Sequence, residues 1–351
     1  MHRKKLNEIL FFTLFVIFIM GILLLDLLVI GRKSHEVSMQ EAAIWTGIWI
    51  FLAILFGLFL YFFAEYTHGI KSFDDLKLIL SKYYPSVEPD YASFENSLNL
   101  FRKTCTINYF SGYLIEKSLS FDNLFVIMAI LNAFSVRKAD YKHVLFWGIL
   151  GAIIMRFIFI FAGAALIYRF EWILYIFGAY LLYVGVKMFL QRNRETRIEP
   201  QNHPVVKFLS HRFKVFPRYV GNRFFIKKNA AIFITPLFIV VMLVEFTDLI
   251  FALDSIPAIF SITRDPYIVF FSNIFAILGL RSLFFLLVRV VEKFYVLKIG
   301  VSFLLVFVGF KLIMHEWLEH INYKPVYSLY IISGVLMFSI LLSVIFPKKQ
   351  K

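Results

Sequence analysis

Apolar runs of about 20 residues, the length at which a helix crosses the hydrocarbon core of a bilayer, recur along this chain and leave it few soluble alternatives. They fall at Leu10–Ile30, Ile44–Phe63, Phe110–Phe134, Val144–Ile167, Trp172–Leu190, Ala231–Ile259, Tyr267–Val290, Tyr295–Met314 and Val326–Phe346. Nine such runs predict an all-α, polytopic membrane protein, because a closed barrel would show alternating segments of about ten residues. The 60% hydrophobic content and the 44 Phe agree, since apolar residues make up about half of a soluble domain at most. The first run follows the basic start MHRKK but lacks a small-residue cleavage pattern, so it reads as a retained span and not a signal peptide.

The net charge of +14 would point to nucleic acid in a soluble protein. Beside apolar spans, basic loops are explained first by membrane orientation and anionic headgroups, so the lipid bilayer is the expected partner and nucleic acid is not. Residues 191–230 carry ten Lys and Arg against two Glu. Together with the C-terminal KKQK, this loop places its face, and the C-terminus, in the cytoplasm. Residues 64–109, with Pro85 and Pro89, read as an extramembrane insertion between the two N-terminal spans of 1–63 and the rest. One cysteine, Cys105, excludes an intramolecular disulfide and a thiolate metal cluster.

Carboxylates interrupt the third and sixth runs, where each costs roughly 3 kcal/mol on insertion scales unless it faces a protein or water cavity and meets a cation there. Glu116–Asn123 reads EKSLSFDN and Asp248–Ser255 reads DLIFALDS: an acid, then Asp six residues later, then a small oxygen-bearing side chain. GILGAIIMR ending at Arg156 answers AILGLR ending at Arg281, and LLYVGVKMF around Lys187 answers LVFVGFKLI around Lys311. The chain is therefore internally duplicated, as 110–190 and 231–314, with 315–351 holding the last span and a basic tail. Each copy has three spans, and an odd number inverts the second copy, predicting two repeats related by a twofold axis in the membrane plane. That axis brings the acids of the third span against those of the sixth.

Positions seven apart share a helix face, so Glu116 goes with Asn123 and Asp248 with Ser255. Each pair is separated by about 10 Å along the axis, too far for one ion with oxygen ligands at roughly 2–2.5 Å, so both repeats must contribute or a helix must break. Pro236 and Pro257 favour a discontinuous sixth helix. The candidate metal ligands are Glu116, Asp122, Asn123, Glu245, Asp248 and Asp254, with Asp26, Ser118, Ser120, Thr247 and Ser255 as additional oxygens. Oxygen donors without central His or Cys suit Mg, Ca and Mn. The competing reading is a structural ion network in which Arg156 and Arg281 neutralise the acids, with Lys187 and Lys311 snorkelling at helix ends. HEWLEH at His315–His320 misses the zinc-protease spacing, and no phosphate loop or nucleophile elbow is present. Nothing in the sequence points to an enzyme, and no catalytic residue or tightly bound cofactor is expected.

The sequence resembles the TerC membrane proteins, a family that includes the Alx-type proteins. The matching pieces are RKSHEVSMQEAAIWTGIWI at 32–50, SGYLIEKSLSFDNLFV at 111–126, HVLFWGILGAIIMR at 143–156, the stretch from Thr235 to Phe285 that contains DLIFALDSIPAI, and FVGFKL at 307–312. The 64–109 segment is longer than the family leads one to expect. The resemblance implies a multi-pass protein of the bacterial inner membrane linked to divalent metal homeostasis, above all Mn²⁺ export, with Glu116, Asp122, Glu245, Asp248 and Asp254 as the required acids and Asn123 beside them. It equally implies alternatives: tellurite resistance, metalation of secreted proteins, or membrane-protein assembly. Ion selectivity, the coupling ion and the oligomeric state stay open at this level.

Overall fold

The computed structural model describes residues 2–30, 38–85, 87–191, 203–228, 231–287, 295–321 and 323–345; side chains at 2–7, 23–30, 121, 122, 287, 295, 298, 315, 319, 320 and 325 lie outside that description. In chain order the helices are α1 (His2–Ile30), α2 (Met39–Phe63), α3 (Glu65–His68), α4 (Phe73–Tyr83), α5 (Phe94–Ala133), α6 (Tyr141–Arg169), α7 (Ile173–Leu190) and α8 (Pro204–Arg212). A two-stranded hairpin, β1 (Phe225–Lys228) and β2 (Ala231–Ile234), precedes α9 (Pro236–Phe260), α10 (Pro266–Leu278), α11 (Leu280–Leu287), α12 (Tyr295–Ile313), α13 (His315–His320) and α14 (Pro325–Ile345). Among the described residues, six stretches are long and apolar enough to cross a membrane: 39–63, 138–169, 173–190, 236–260, 266–286 and 326–345. Shorter apolar stretches run over Glu8–Ile22 in α1 and Ile299–Ile313 in α12. The architecture is an all-α polytopic membrane bundle.

The two inner repeats pack reciprocally. Helix α5 lies on α10 as α9 lies on α6, while α5 meets α9 and α7 meets α12 across the pseudo-axis. The α7–α12 seam is antiparallel and nearly backbone to backbone. A Cβ built on Gly178 would lie 2.9 Å from the Gly309 carbonyl oxygen, and one on Gly185 would lie 2.9 Å from that of Ser302. Small residues allow such an approach, and in lipid, where no hydrophobic force joins helices, that close packing is what holds them. The α10–α11 segment is the central post of the bundle, 94% buried against 22% for α7, which explains why it shows no polar stripe.

Four boundaries differ from the sequence reading. The third membrane helix starts at Phe94, not Phe110: Ser93 caps it by accepting from the Asn96 N–H at 3.3 Å, and its 40 residues span about 60 Å. That is roughly twice the bilayer core, so the polar first half stands outside and carries α3 and α4 of the insertion. The sixth begins at Pro236 behind the Thr235 cap, because Ala231–Ile234 pair with β1 in register Phe225↔Ile234 to Lys228↔Ala231. It also runs unbroken through Pro257, whose missing N–H falls in the last turn, where little ladder remains to be lost. The break lies in the seventh helix, at Gly279 between α10 and α11. There Lys117 Nζ donates to the freed Ala276 carbonyl at 3.1 Å, and a Cβ on Gly279 would lie 2.9 Å from that ammonium and 3.2 Å from Trp49 Cβ.

Candidate functional site

The centre of the bundle is organised by Arg156, which is 1% exposed and among the largest fully buried side chains. It stands midway along α6 and reaches both repeats. Its guanidinium pairs closely with Glu116 of α5 and lies 3.4 Å from Asp248 Oδ1 of α9. It also donates to Asn273 Oδ1 of α10 at 2.6 Å and to Ser255 Oγ of α9 at 3.4 Å. Asn123 of α5 closes the ring by donating through Nδ2 to Asp248 Oδ1 at 2.9 Å. Glu116 and Asp248 occupy equivalent positions of the two copies, so one guanidinium bridges the pseudo-axis.

Helical periodicity decides who joins. Residues seven apart lie on one face, and both Asp248 and Ser255 reach Arg156. Asp254, six residues from Asp248, is rotated by about a third of a turn and leaves the cluster: Tyr180 of α7 donates to its Oδ1 at 2.7 Å. Glu245 is half-buried and lies against the bare Cα of Gly151, where a Cβ would overlap its carboxylate. The expected six-residue cage is thus divided, and among the described residues no group of three His, Cys, Asp or Glu is placed to hold a metal ion. The side chains of Asp122 and Asp26 lie outside the described residues. Ser118, Ser120 and Thr247 donate to Ile115, Glu116 and Leu243 carbonyls of their own helices. Arg281 is buried at the start of α11. Lys187 is exposed over the Tyr183 ring, as a snorkelling residue should be.

Two members escaped the sequence reading. Asn273 stands alone as an amide within PYIVFFSNIFAIL, and that isolation was its only signal. Lys117 was visible inside EKSLSFDN, but its task of satisfying the α10 break needed the tertiary packing.

The cluster's chemistry lies in what it leaves unsatisfied. Among the described residues, Glu116 Oε2, Asn123 Oδ1 and Asp248 Oδ2 are buried acceptors without a hydrogen-bond partner, and Arg156 Nε is a buried donor without one. Buried polar atoms of folded proteins are nearly always paired, with an unmet one costing about 1–3 kcal/mol. Three open oxygens from two helices around an intramembrane ion pair define a class, namely polytopic membrane proteins with a buried charged centre between their helices.

The chain belongs to the integral membrane protein TerC family, whose pattern it matches over residues 101–351. It is 42% identical to an uncharacterized membrane protein of Myxococcus xanthus, over 94% of this chain and 91% of that one. It is 39% identical to the "Putative membrane-bound redox modulator Alx" of Escherichia coli K12, over 94% and 92%, and 37% identical to an uncharacterized membrane protein of Rickettsia felis, over 97% and 98%. The family match begins at residue 101 and leaves most of the 64–109 segment outside it. No solved structure matches.

Proposed function

We propose that this chain is a secondary transporter that exports a divalent cation, with Mn²⁺ as the substrate its donors suit best, and that the ion is held between the repeats by Glu116, Asn123 and Asp248. The observation that carries this reading is the set of three unpartnered oxygens, one carboxylate from each repeat with an amide between them, around a guanidinium that already occupies a cation's place. Arg156 acts as the resident counter-cation of the ion-free state. Carboxylate and amide oxygens favour Mg, Ca and Mn over softer metals, and acids that exchange metal for protons let a proton gradient drive export by alternating access. Asp122, next to Asn123 in sequence, belongs to the same proposal, whereas Asp254 and Glu245 would serve the path to the site and not its centre.

The name given to the Alx relatives suggests redox work, but this chain's one cysteine is buried and cannot cycle through an intramolecular disulfide. A redox effect would come indirectly, through the metal it moves. The test is Mn²⁺ flux into proteoliposomes holding purified protein and an imposed pH gradient. Wild type should move Mn²⁺, and Glu116→Gln and Asp248→Asn should each lower flux at least tenfold while inserting normally. Protein that moves no Mn²⁺ would leave a membrane assembly role as the better account, and variants with native flux would remove the site.

A further inference from the structure

A second polar site lies at the opposite end of the bundle from the 191–230 connection, and the transport reading makes no use of it. A cavity of about 120 Å³ opens where the insertion, the start of α5, the α9–α10 turn and the end of α12 meet. Two cations line it, Lys311 and Arg264, and among the described residues no carboxylate does. Arg264 is ion-paired through one nitrogen with Glu171 at 2.6 Å, and its other donors have no hydrogen-bond partner among the described residues. The buried Asp265, to which the lining Tyr84 donates at 2.8 Å, is also engaged by His68 at 2.7 Å.

Lys311 is the informative residue. It was expected to snorkel, yet it turns inward and donates to the buried Ser328 hydroxyl at 3.0 Å, with no acidic partner within 4 Å among the described residues. Ser328 donates onward to the Tyr323 hydroxyl at 3.2 Å. The relay therefore ends on a phenol proton that no described acceptor takes, at the cavity wall. The same cavity is lined by Asn108, 1% exposed, whose Oδ1 has no hydrogen-bond partner among the described residues. Amide oxygen and nitrogen exchange places by a half-turn, so this side chain offers a donor to any acceptor that enters.

We propose that this cavity binds a phosphate group, held by Lys311 and Arg264 and oriented by the Tyr323 hydroxyl and the Asn108 amide. A cage of cationic and neutral donors around a small space takes a compact polyvalent acceptor. Two sources share that chemistry at a membrane face: free phosphate and the headgroup of an anionic lipid.

The experiment uses the full chain in detergent. One arm titrates inorganic phosphate calorimetrically at constant ionic strength; the other counts phosphatidylglycerol retained per chain by native mass spectrometry. Saturable binding in the first arm assigns a soluble ligand, and stoichiometric retention in the second alone assigns a headgroup. In whichever arm binds, Lys311→Met should weaken it at least tenfold and Tyr323→Phe at least threefold, while Lys311→Arg keeps it. Should Lys311→Met fail to fold, Tyr323→Phe and Lys311→Arg carry the comparison. Binding in neither arm, or binding unchanged in Lys311→Met and Tyr323→Phe, overturns the proposal, and neither result bears on the Glu116–Arg156–Asp248 centre.

Discussion

Replacing Arg156 with Met separates the electrostatic role of the centre from its packing, because the thioether keeps most of the stem and loses the charge. At the observed 3.4 Å from Asp248, a unit pair at an effective dielectric of 20 gains about 5 kcal/mol, and Glu116 lies closer still. Desolvation of the three buried charges cancels most of that gain, and what remains as the cost of deleting one partner is about 3–5 kcal/mol. The loss arises chiefly from two carboxylates left facing each other in a dry interior, so neutralising them should recover most of it. Unfolding in mixed micelles can be followed through Cys105, the single buried thiol, by labelling with a maleimide dye. Arg156→Met should lose about 3–5 kcal/mol, and the triple variant Arg156→Met, Glu116→Gln, Asp248→Asn should return to within about 1–2 kcal/mol of wild type. If the freed acids bind Mn²⁺, the single variant but not the triple should regain about 2.7 kcal/mol at a hundredfold excess over Kd. A single variant as stable as wild type, or a triple variant as unstable as the single one, would refute the reasoning.

Two further outcomes test the scaffold. In Gly178→Ala the new Cβ meets Ile313 Cγ1 at 2.7 Å and the Gly309 carbonyl at 2.9 Å; it should cost about 1–3 kcal/mol as overpacking, whereas Gly334→Ala, with nothing within 4 Å, should be near neutral in the same unfolding assay. Burial acts to raise the Asp265 carboxyl, but the His68 charge and hydrogen bonds from His68, Tyr84 and the Tyr267 N–H outweigh it and hold the group below its ordinary 3.8. A carboxyl held low stabilises the fold above its ordinary value, and that contribution disappears as pH falls through the lowered one. Hydrogen exchange in residues 64–109, corrected for intrinsic rate, should therefore rise below pH 3.8, and Asp265→Asn should show the same opening at neutral pH; unchanged protection in both would separate the insertion from this contact.

The helical membrane class, the repeats and the burial of Glu116, Asn123 and Asp248, three of six residues put forward together, were legible in the one-dimensional pattern, because span length, charge inside apolar runs and seven-residue spacing are each enforced locally by the cost of exposing polar groups to lipid. Helix phase alone separates Asp254 from Asp248. What only the tertiary structure decided is which charges meet. Arg156 and Arg281 are equal by repeat, yet the Glu116–Asp248 pair goes to Arg156, since α6 runs beside both α9 and the α10 amide of Asn273. Likewise the chain breaks at Gly279 and not at Pro257: a break is tolerated where a neighbour can satisfy the freed carbonyl, and Lys117 reaches Ala276 from another helix. Local chemistry sets which residues must be buried with partners, while the identity of those partners is a property of packing between segments distant in sequence.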